Sequence, residues 1–262
     1  LQCRIPLRAF FQFPTISALA AHLKASAVEG STLEDSEVKD ATVTLHDTSR
    51  EQLVPDFVHK HDPFPLTDIQ QAYWLGRSQA FDLGNIGTLS YREIEVTGLS
   101  TPAVEAALNK LILRHDMLRA VVNTGGQQMI LPKVPAYHIQ VTDLSELSDQ
   151  NRQLESIRER LSHQLFTPEH WPLFHIEAAR LPHDRTRFFV SFDVLIGDAW
   201  SFQLLGKEMA QVIADQKADQ KMAQKLSPLS LSFRDYVMAE QAFRATAAYE
   251  RSLQYWQNRL AT

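Results

Sequence analysis

Nine consecutive residues, Asp193-Val194-Leu195-Ile196-Gly197-Asp198-Ala199-Trp200-Ser201, set two carboxylates and a hydroxyl where the apolar run Phe188-Phe189-Val190-Ser191-Phe192 gives way to a helical pattern. An ionised carboxylate at the end of a buried strand is costly unless a cation, a donor set or a metal meets it. Three chemistries fit these residue types. The first is a general acid and base pair, Asp193 with Asp198, although a five-residue offset across a strand end fixes no distance between them. The second is a hard cation such as magnesium, although no third acid or Asn lies nearby to complete an oxygen shell. The third is structural: Asp198 and Ser201 order the turn and cap the following helix, and arginines reach in as partners. Residue chemistry favours the third, because buried acids are more often paired than catalytic.

The elements that position this segment follow from periodicity. His61-Asp62-Pro63-Phe64-Pro65-Leu66 is an extended, proline-stiffened lead-in, and Thr67 with Gln70 makes a capping box for a helix from Asp68 to about Arg77. A strand is expected over 86–96 and a helix capped by Thr101, with Val104, Leu108, Leu111 and Ile112 on one face. Ala120–Asn123 and Gln128–Leu131 flank Gly125-Gly126 as a hairpin. Strands are expected over 137–141, 174–180 and 187–195, and helices over 152–164, 201–216 and 233–259. This mixture argues for an α/β (α+β) fold, an open mixed β-sheet covered by helices.

The chain has 262 residues with 44% hydrophobic and 22% charged, which excludes a disordered, collagen-like or disulfide-scaffold protein. Its net charge is −5, and residues 26–60 hold eight acids against three bases, so that segment carries the whole imbalance. No basic face is left to bind nucleic acid. No apolar run approaches the roughly 18–20 residues that cross a bilayer, so no membrane partner is expected. The lone Cys3 and the lack of a signal peptide point to the cytoplasm. The ten histidines show no metal-ligand spacing, so no metal is expected.

Ser26–Lys60 is poor in bulky apolar residues and reads as an acidic flexible linker. Before it, Thr15 can cap a helix from Ile16 to Lys24. The stretch IPLRAFFQFPTISALAAHL at Ile5–Leu23 resembles the last loop and helix of an acyl or peptidyl carrier domain. That resemblance implies that residues 1–25 are the end of a carrier, with the phosphopantetheine-bearing serine upstream of Leu1.

DVLIGDAWS fits the pattern Asp, four residues, Asp, two residues, Ser of the heterocyclisation domains of nonribosomal peptide synthetases. FPLTDIQQAYWLGR at Phe64–Arg77, LILRHDMLR at Leu111–Arg119, LPKVPAYHIQVTDLS at Leu131–Ser145 and YWQNRL at Tyr255–Leu260 agree in content and order. The resemblance implies a chloramphenicol acetyltransferase-like fold in which residues 61–262 are the N-terminal lobe and a second lobe lies outside this chain. Ordinary condensation domains show His-His, three residues, Asp-Gly, and here Asp193 and Val194 stand at the two His positions. Val194 cannot hold a proton, so amide-forming and epimerising subtypes are disfavoured. An unperturbed Asp near pKa 4 is a poor base for an ammonium, so the His role is not carried over to Asp193.

The implied activity is condensation of a carrier-bound acyl or peptidyl thioester with carrier-bound Cys, Ser or Thr, then cyclodehydration to a thiazoline or oxazoline. Its partners would be upstream and downstream carriers, the adenylation domain of the module and the missing second lobe. The lone lobe would be inactive, and a non-catalytic module that gates carriers is the alternative. Within the motif, Asp193, Asp198 and Ser201 are expected to hold the tunnel floor, with Arg119 the first charge partner of Asp198, Arg77 the second, and Trp200 lining the tunnel or packed in the core. His115 is expected in a supporting or surface role, and Tyr73 and Trp74 in the core or tunnel wall.

Overall fold

A computed structural model of the chain describes residues 53–77, 87–217 and 226–260. Of the two units into which the chain divides, Leu1–Thr48 and Ser49–Thr262, the first lies outside the described residues, and with it the carrier-like stretch, Cys3 and most of the acidic segment. Every described residue belongs to the second unit.

Two sheets organise that unit. Strand β1 (Phe64–Pro65), β3 (Ala120–Val122) and β4 (Gln127–Ile130) form a three-stranded antiparallel sheet in the order β1-β4-β3. Its hairpin turns at Gly126, whose positive φ of 73° suits glycine; an added Cβ there would also press on the Trp74 ring at 3.1 Å. Strand β2 (Leu89–Thr97), β5 (Gln140–Asp143), β6 (Phe174–Leu181) and β7 (Arg185–Asp193) form the second sheet in the order β2-β7-β6-β5. The pair β5 and β6 is parallel and the rest antiparallel, which is the mixed sheet expected.

The central strand β7 is apolar on both faces because helices cover both. Phe188, Val190 and Phe192 point to one side, where helix α2 (Thr101–Arg114) contributes Val104, Leu108 and Leu111 and helix α4 (Ala199–Lys217) contributes Met209 and Val212. Phe189 points to the other, against Leu154, Ile157 and Leu161 of helix α3 (Gln150–Ser162). Alternation along one strand thus serves two cores. Helix α1 (Asp68–Leu75) begins at Thr67, where the expected capping box is present. A short 3-10 turn (Asp116–Arg119) links α2 to β3.

Most element ends shift by a few residues from the sequence expectation, and three of the differences have a visible side-chain cause. Ser100, not Thr101, caps α2, its Oγ accepting from the Ala103 amide at 3.3 Å. Regular pairing of β5 starts at Gln140 rather than Tyr137, because side chains take the earlier backbone groups: Asn109 accepts from Tyr137 N at 2.8 Å and Glu105 from Ile139 N at 2.8 Å. The long helix expected over 233–259 is two, α5 (Phe233–Arg244) and α6 (Ala247–Leu260). Thr246 makes the break: its Oγ1 donates to Phe243 O at 2.7 Å and accepts from Tyr249 N at 3.3 Å, closing one helix and capping the next.

The residues just before β1 are tied to the lobe. The Asp56 amide donates to Asp235 Oδ1 at 3.0 Å, and the Asp56 carboxylate accepts from Arg234 at 3.0 Å. Lys60 reaches Asp116 at 3.1 Å, and the His61 ring meets Ile130 O at 2.8 Å.

Candidate functional site

The motif segment begins as the last residue of β7 and ends in the first turn of α4. Asp193 is 1% exposed. Its Oδ1 accepts from Arg77 Nη2 at 2.5 Å and from the Leu195 amide at 2.9 Å, and its own amide bonds Leu173 O at 3.0 Å. The strand end is thereby folded back on itself, and a buried carboxylate is met by a largely covered guanidinium. Arg77 also points a second nitrogen at Phe166 O, at 3.5 Å.

Asp198 also accepts from a nearby backbone amide, but it is exposed and meets no arginine among the described residues. It stands at the N-cap of α4, within the exposed turn: its Oδ1 accepts from Ser201 N at 2.8 Å and Ser201 Oγ at 2.7 Å, while its carbonyl accepts from Phe202 N at 3.1 Å. The hydroxyl and amide of Ser201 hold the Asp198 carboxyl below the usual carboxylate range, so it is ionised at neutral pH. Gly197 makes the tight turn possible, since a Cβ there would lie 3.1 Å from Ser201 Cβ. This is the cap-and-turn arrangement among the three chemistries the sequence left open.

A cleft of roughly 1610 Å³ runs along this turn, walled by Val194, Asp198, Trp200 and Ser201 on one side and by His115 and Tyr236 among others. Trp200 is 73% exposed, so it is a cleft-wall indole and not a core one. Tyr73 borders the cleft and Trp74 packs with Leu66, Val122 and Leu195. His115 meets Glu208 Oε2 at 2.6 Å, and Arg114 grips the same carboxylate through Nε at 3.0 Å and Nη2 at 3.1 Å. Burial pushes the Glu208 carboxyl up, and these two partners outweigh it and hold it low. The histidine thus supports a buried ion pair beside the cleft.

One expected pairing is corrected. Arg119 does not meet Asp198. Its guanidinium serves Asp116 at 2.7 Å, Leu131 O at 3.1 Å, Leu113 O at 2.9 Å and Ile112 O. The reason is local: Arg119 ends the 3-10 turn directly after α2, where the unpaired carbonyls of that helix's last turn are the nearest acceptors. Arg77, the second candidate, pairs with Asp193 instead.

Sequence reasoning missed Gln128 altogether and saw Gln70 only as a helix cap. The signal for Gln128 was its place two residues from Ile130 on the inward face of β4, a polar residue in an apolar register. Among the described residues no three His, Cys, Asp or Glu side chains are grouped to hold a metal ion, and no helix is long and apolar enough to cross a membrane.

Comparison with known proteins matches residues 60–262 to the Condensation domain family. The chain is 31% identical over 262 residues to bacitracin synthase 1 of Bacillus licheniformis, covering 99% of this chain and 5% of that protein. It is 36% identical over 209 residues to pyochelin synthetase PchF of Pseudomonas aeruginosa, covering 79% and 11%. Among solved structures, the EpoB cyclization-docking bidomain of a nonribosomal peptide synthetase from Sorangium cellulosum superposes with a TM-score of 0.75 at 34% identity, over 94% of this chain and 47% of that one. The chain therefore spans a small part of its curated relatives and about half of that structure, and the chloramphenicol acetyltransferase-like fold expected from the sequence is the one it has.

Proposed function

The chain belongs to the condensation-domain family of nonribosomal peptide synthetases, and from that premise we propose that residues 61–262 are the N-terminal lobe of a heterocyclisation domain, preceded by a carrier tail (1–25) and an acidic linker (26–60). In the reaction, the amine of a carrier-bound Cys, Ser or Thr attacks an upstream acyl or peptidyl thioester, giving an amide and a free carrier thiol. The side-chain sulfur or oxygen then attacks the amide carbonyl, and loss of one water leaves a thiazoline or oxazoline. Phosphopantetheine arms on the carriers bring both substrates, and a cleft of roughly 1610 Å³ is roomy enough to admit them. The work is divided with an adenylation domain and a second lobe in the cytoplasm.

The observation that carries this reading is the wall of the cleft. Val194 stands there, where the ordinary condensation pattern has its second histidine, and Asp198 and Ser201 follow at the heterocyclisation spacing. Val194 offers no proton acceptor, and Asp198, ionised and held by two donors from Ser201, is a fixed negative charge at the cleft and a weak base. At the motif turn this lobe accordingly shapes and charges the cleft rather than supplying its base. The relatives' names point the same way, one of them being a cyclization bidomain.

The test is intact-protein mass spectrometry on the complete synthetase module with both carriers loaded. A condensed product one water lighter than the linear amide supports heterocyclisation. A linear amide alone reduces the activity to condensation, and no product at all favours a module that binds and gates carriers without chemistry.

A further inference from the structure

Two glutamines are buried side by side beneath the motif turn, Gln70 of α1 at 7% exposure and Gln128 of β4 at 1%. Their amides face each other reciprocally: Gln70 Nε2 donates to Gln128 Oε1 at 3.0 Å, and Gln128 Nε2 donates to Gln70 Oε1 at 3.0 Å. Each has one N–H left. Gln70 gives its own to Leu195 O at 2.8 Å, and Gln128 gives its own to Pro65 O at 2.8 Å. Gln70 Oε1 also accepts from Thr67 N at 3.0 Å and Thr67 Oγ1 at 3.1 Å. The two carbonyls fix which way round both amides lie, because a flipped amide would set oxygen against oxygen.

We infer that Gln70 and Gln128 are positioning residues for the motif turn, and that they act by holding the Leu195 carbonyl in place; the consequence for product formation rests on the heterocyclisation reading. Leu195 lies between the two acids. On its near side, Asp193 is fixed by Arg77 and by the Leu195 amide; on its far side, Gly197 leads directly to Asp198 and the cleft. Helix α1 therefore grips the segment twice, through Gln70 at its first turn and Arg77 just past its end. Apolar contact of the Leu195 side chain with Leu66 and Val122 is non-directional and would let the turn slide. A hydrogen bond sets distance and angle, and within a closed, fully satisfied network it does so without leaving a buried group unpaired. An apolar pair of the same shape removes the two amide–amide bonds together, which alone is close to neutral, but it also takes the side-chain partner from Leu195 O, Pro65 O and the Thr67 amide, so some stability goes with the pair. What the amides add is placement of Asp198 and Ser201.

The test compares the complete module with its Gln70→Met/Gln128→Met double variant, and with Gln128→Met alone, which spares the capping box. The expected result is faster hydrogen exchange of the amides of 195–199, roughly five- to tenfold in the double variant for the loss of about one hydrogen bond and less in the single. Amides of β6 and β7 should change much less than those of 195–199, and the melting temperature should fall modestly, less in the single variant, which keeps the capping box. The rate of condensed product should fall severalfold at an unchanged KM for the acceptor carrier. Unchanged exchange at 195–199, or faster exchange with an unchanged product rate, overturns the positioning role; exchange raised evenly over β6 and β7 reduces the pair to fold stability. A wild-type module that makes no product would sink the functional reading instead, while the exchange comparison would still decide whether the pair holds the turn.

Discussion

Asp193 and Asp198 stand five residues apart in one motif and have opposite surroundings. The strand-end acid is sealed from water, neutralised by Arg77 and tied to the backbone; the helix-start acid lies at the cleft, where its partners are the hydroxyl and amide of Ser201. Sharing a motif therefore does not mean sharing a task. Asp193 is a member of the fold, because burying it depends on Arg77 and the Leu195 amide. Asp198 shapes a surface, because solvent would keep it ionised whatever else changed. The same contrast separates the sheet's far face, where Glu177 is buried against His175 and Arg160, from the cleft wall.

The largest expected effect breaks the buried half of the comparison. Asp193→Ala leaves the Arg77 guanidinium buried without its carboxylate, and should cost about 3–5 kcal/mol in urea unfolding. Replacing both, as Arg77→Met with Asp193→Leu, should restore most of that loss, because two charges leave the interior together. If Asp193→Ala alone unfolds no earlier than wild type, the strand-end acid is not the structural one.

A second effect of a few kcal/mol is expected from acid. Burial disfavours the charged form of Glu177, but His175 and Arg160 outweigh it and bring its carboxyl down to about 2 from an ordinary 4.5. A folded-state value below the unfolded one means stability that is complete above about pH 4.5 and drains away as pH falls toward 2. Its size is about 3 kcal/mol at about 1.4 kcal/mol per pH interval. Glu177→Gln should lower stability at pH 7 and flatten this acid limb, read from urea midpoints across that range. Asp198, also held low but close to solvent, should add little to the same curve.

Much of this contrast was legible from residue order, and its failures have physical causes. The role of Asp198 and Ser201 as a cap could be read because capping is local: the partners lie three residues apart. The Thr67 and Gln70 box and the hairpin at Gly126 were legible for the same reason. The partner of Asp193 lies 116 residues away, and the sequence reading placed Arg77 only as the second candidate partner of Asp198, behind Arg119. Only the fold shows that Arg119 is drawn to the open carbonyls at the end of α2. Gln128 was illegible because a polar residue at an inward position has meaning only once its partner, 58 residues earlier, is known. The Thr246 break was within reach, since a threonine in a long helix can cap a new one, but the apolar period runs through it.

Two smaller effects sharpen the exposed half. Asp198→Ala removes the cap of α4 and should cost about 1 kcal/mol, with the fold retained. Product formation by the module should drop by more than that loss of stability accounts for, because the charge at the cleft goes with the cap. A drop no larger than the one in folded protein would leave Asp198 as a cap and nothing else.

Trp200 gives the smallest change in stability and the cleanest reading of the surface. Its indole is 73% exposed beside Asp198, so Trp200→Ala removes a large ring from the surface and opens no hole in the core. Stability should move by no more than about 0.5 kcal/mol, the usual range for surface changes. If the cleft wall receives the substrate, the same change should raise the KM for a carrier-bound substrate while leaving kcat nearly fixed, because the ring would add contact in ground and transition state alike. A loss of kcat at constant KM would instead put Trp200 with Asp198 in shaping the reacting geometry. Unchanged kinetics would confine the functional surface to Val194, Asp198 and Ser201, and narrow the contrast between the two acids to one turn of helix.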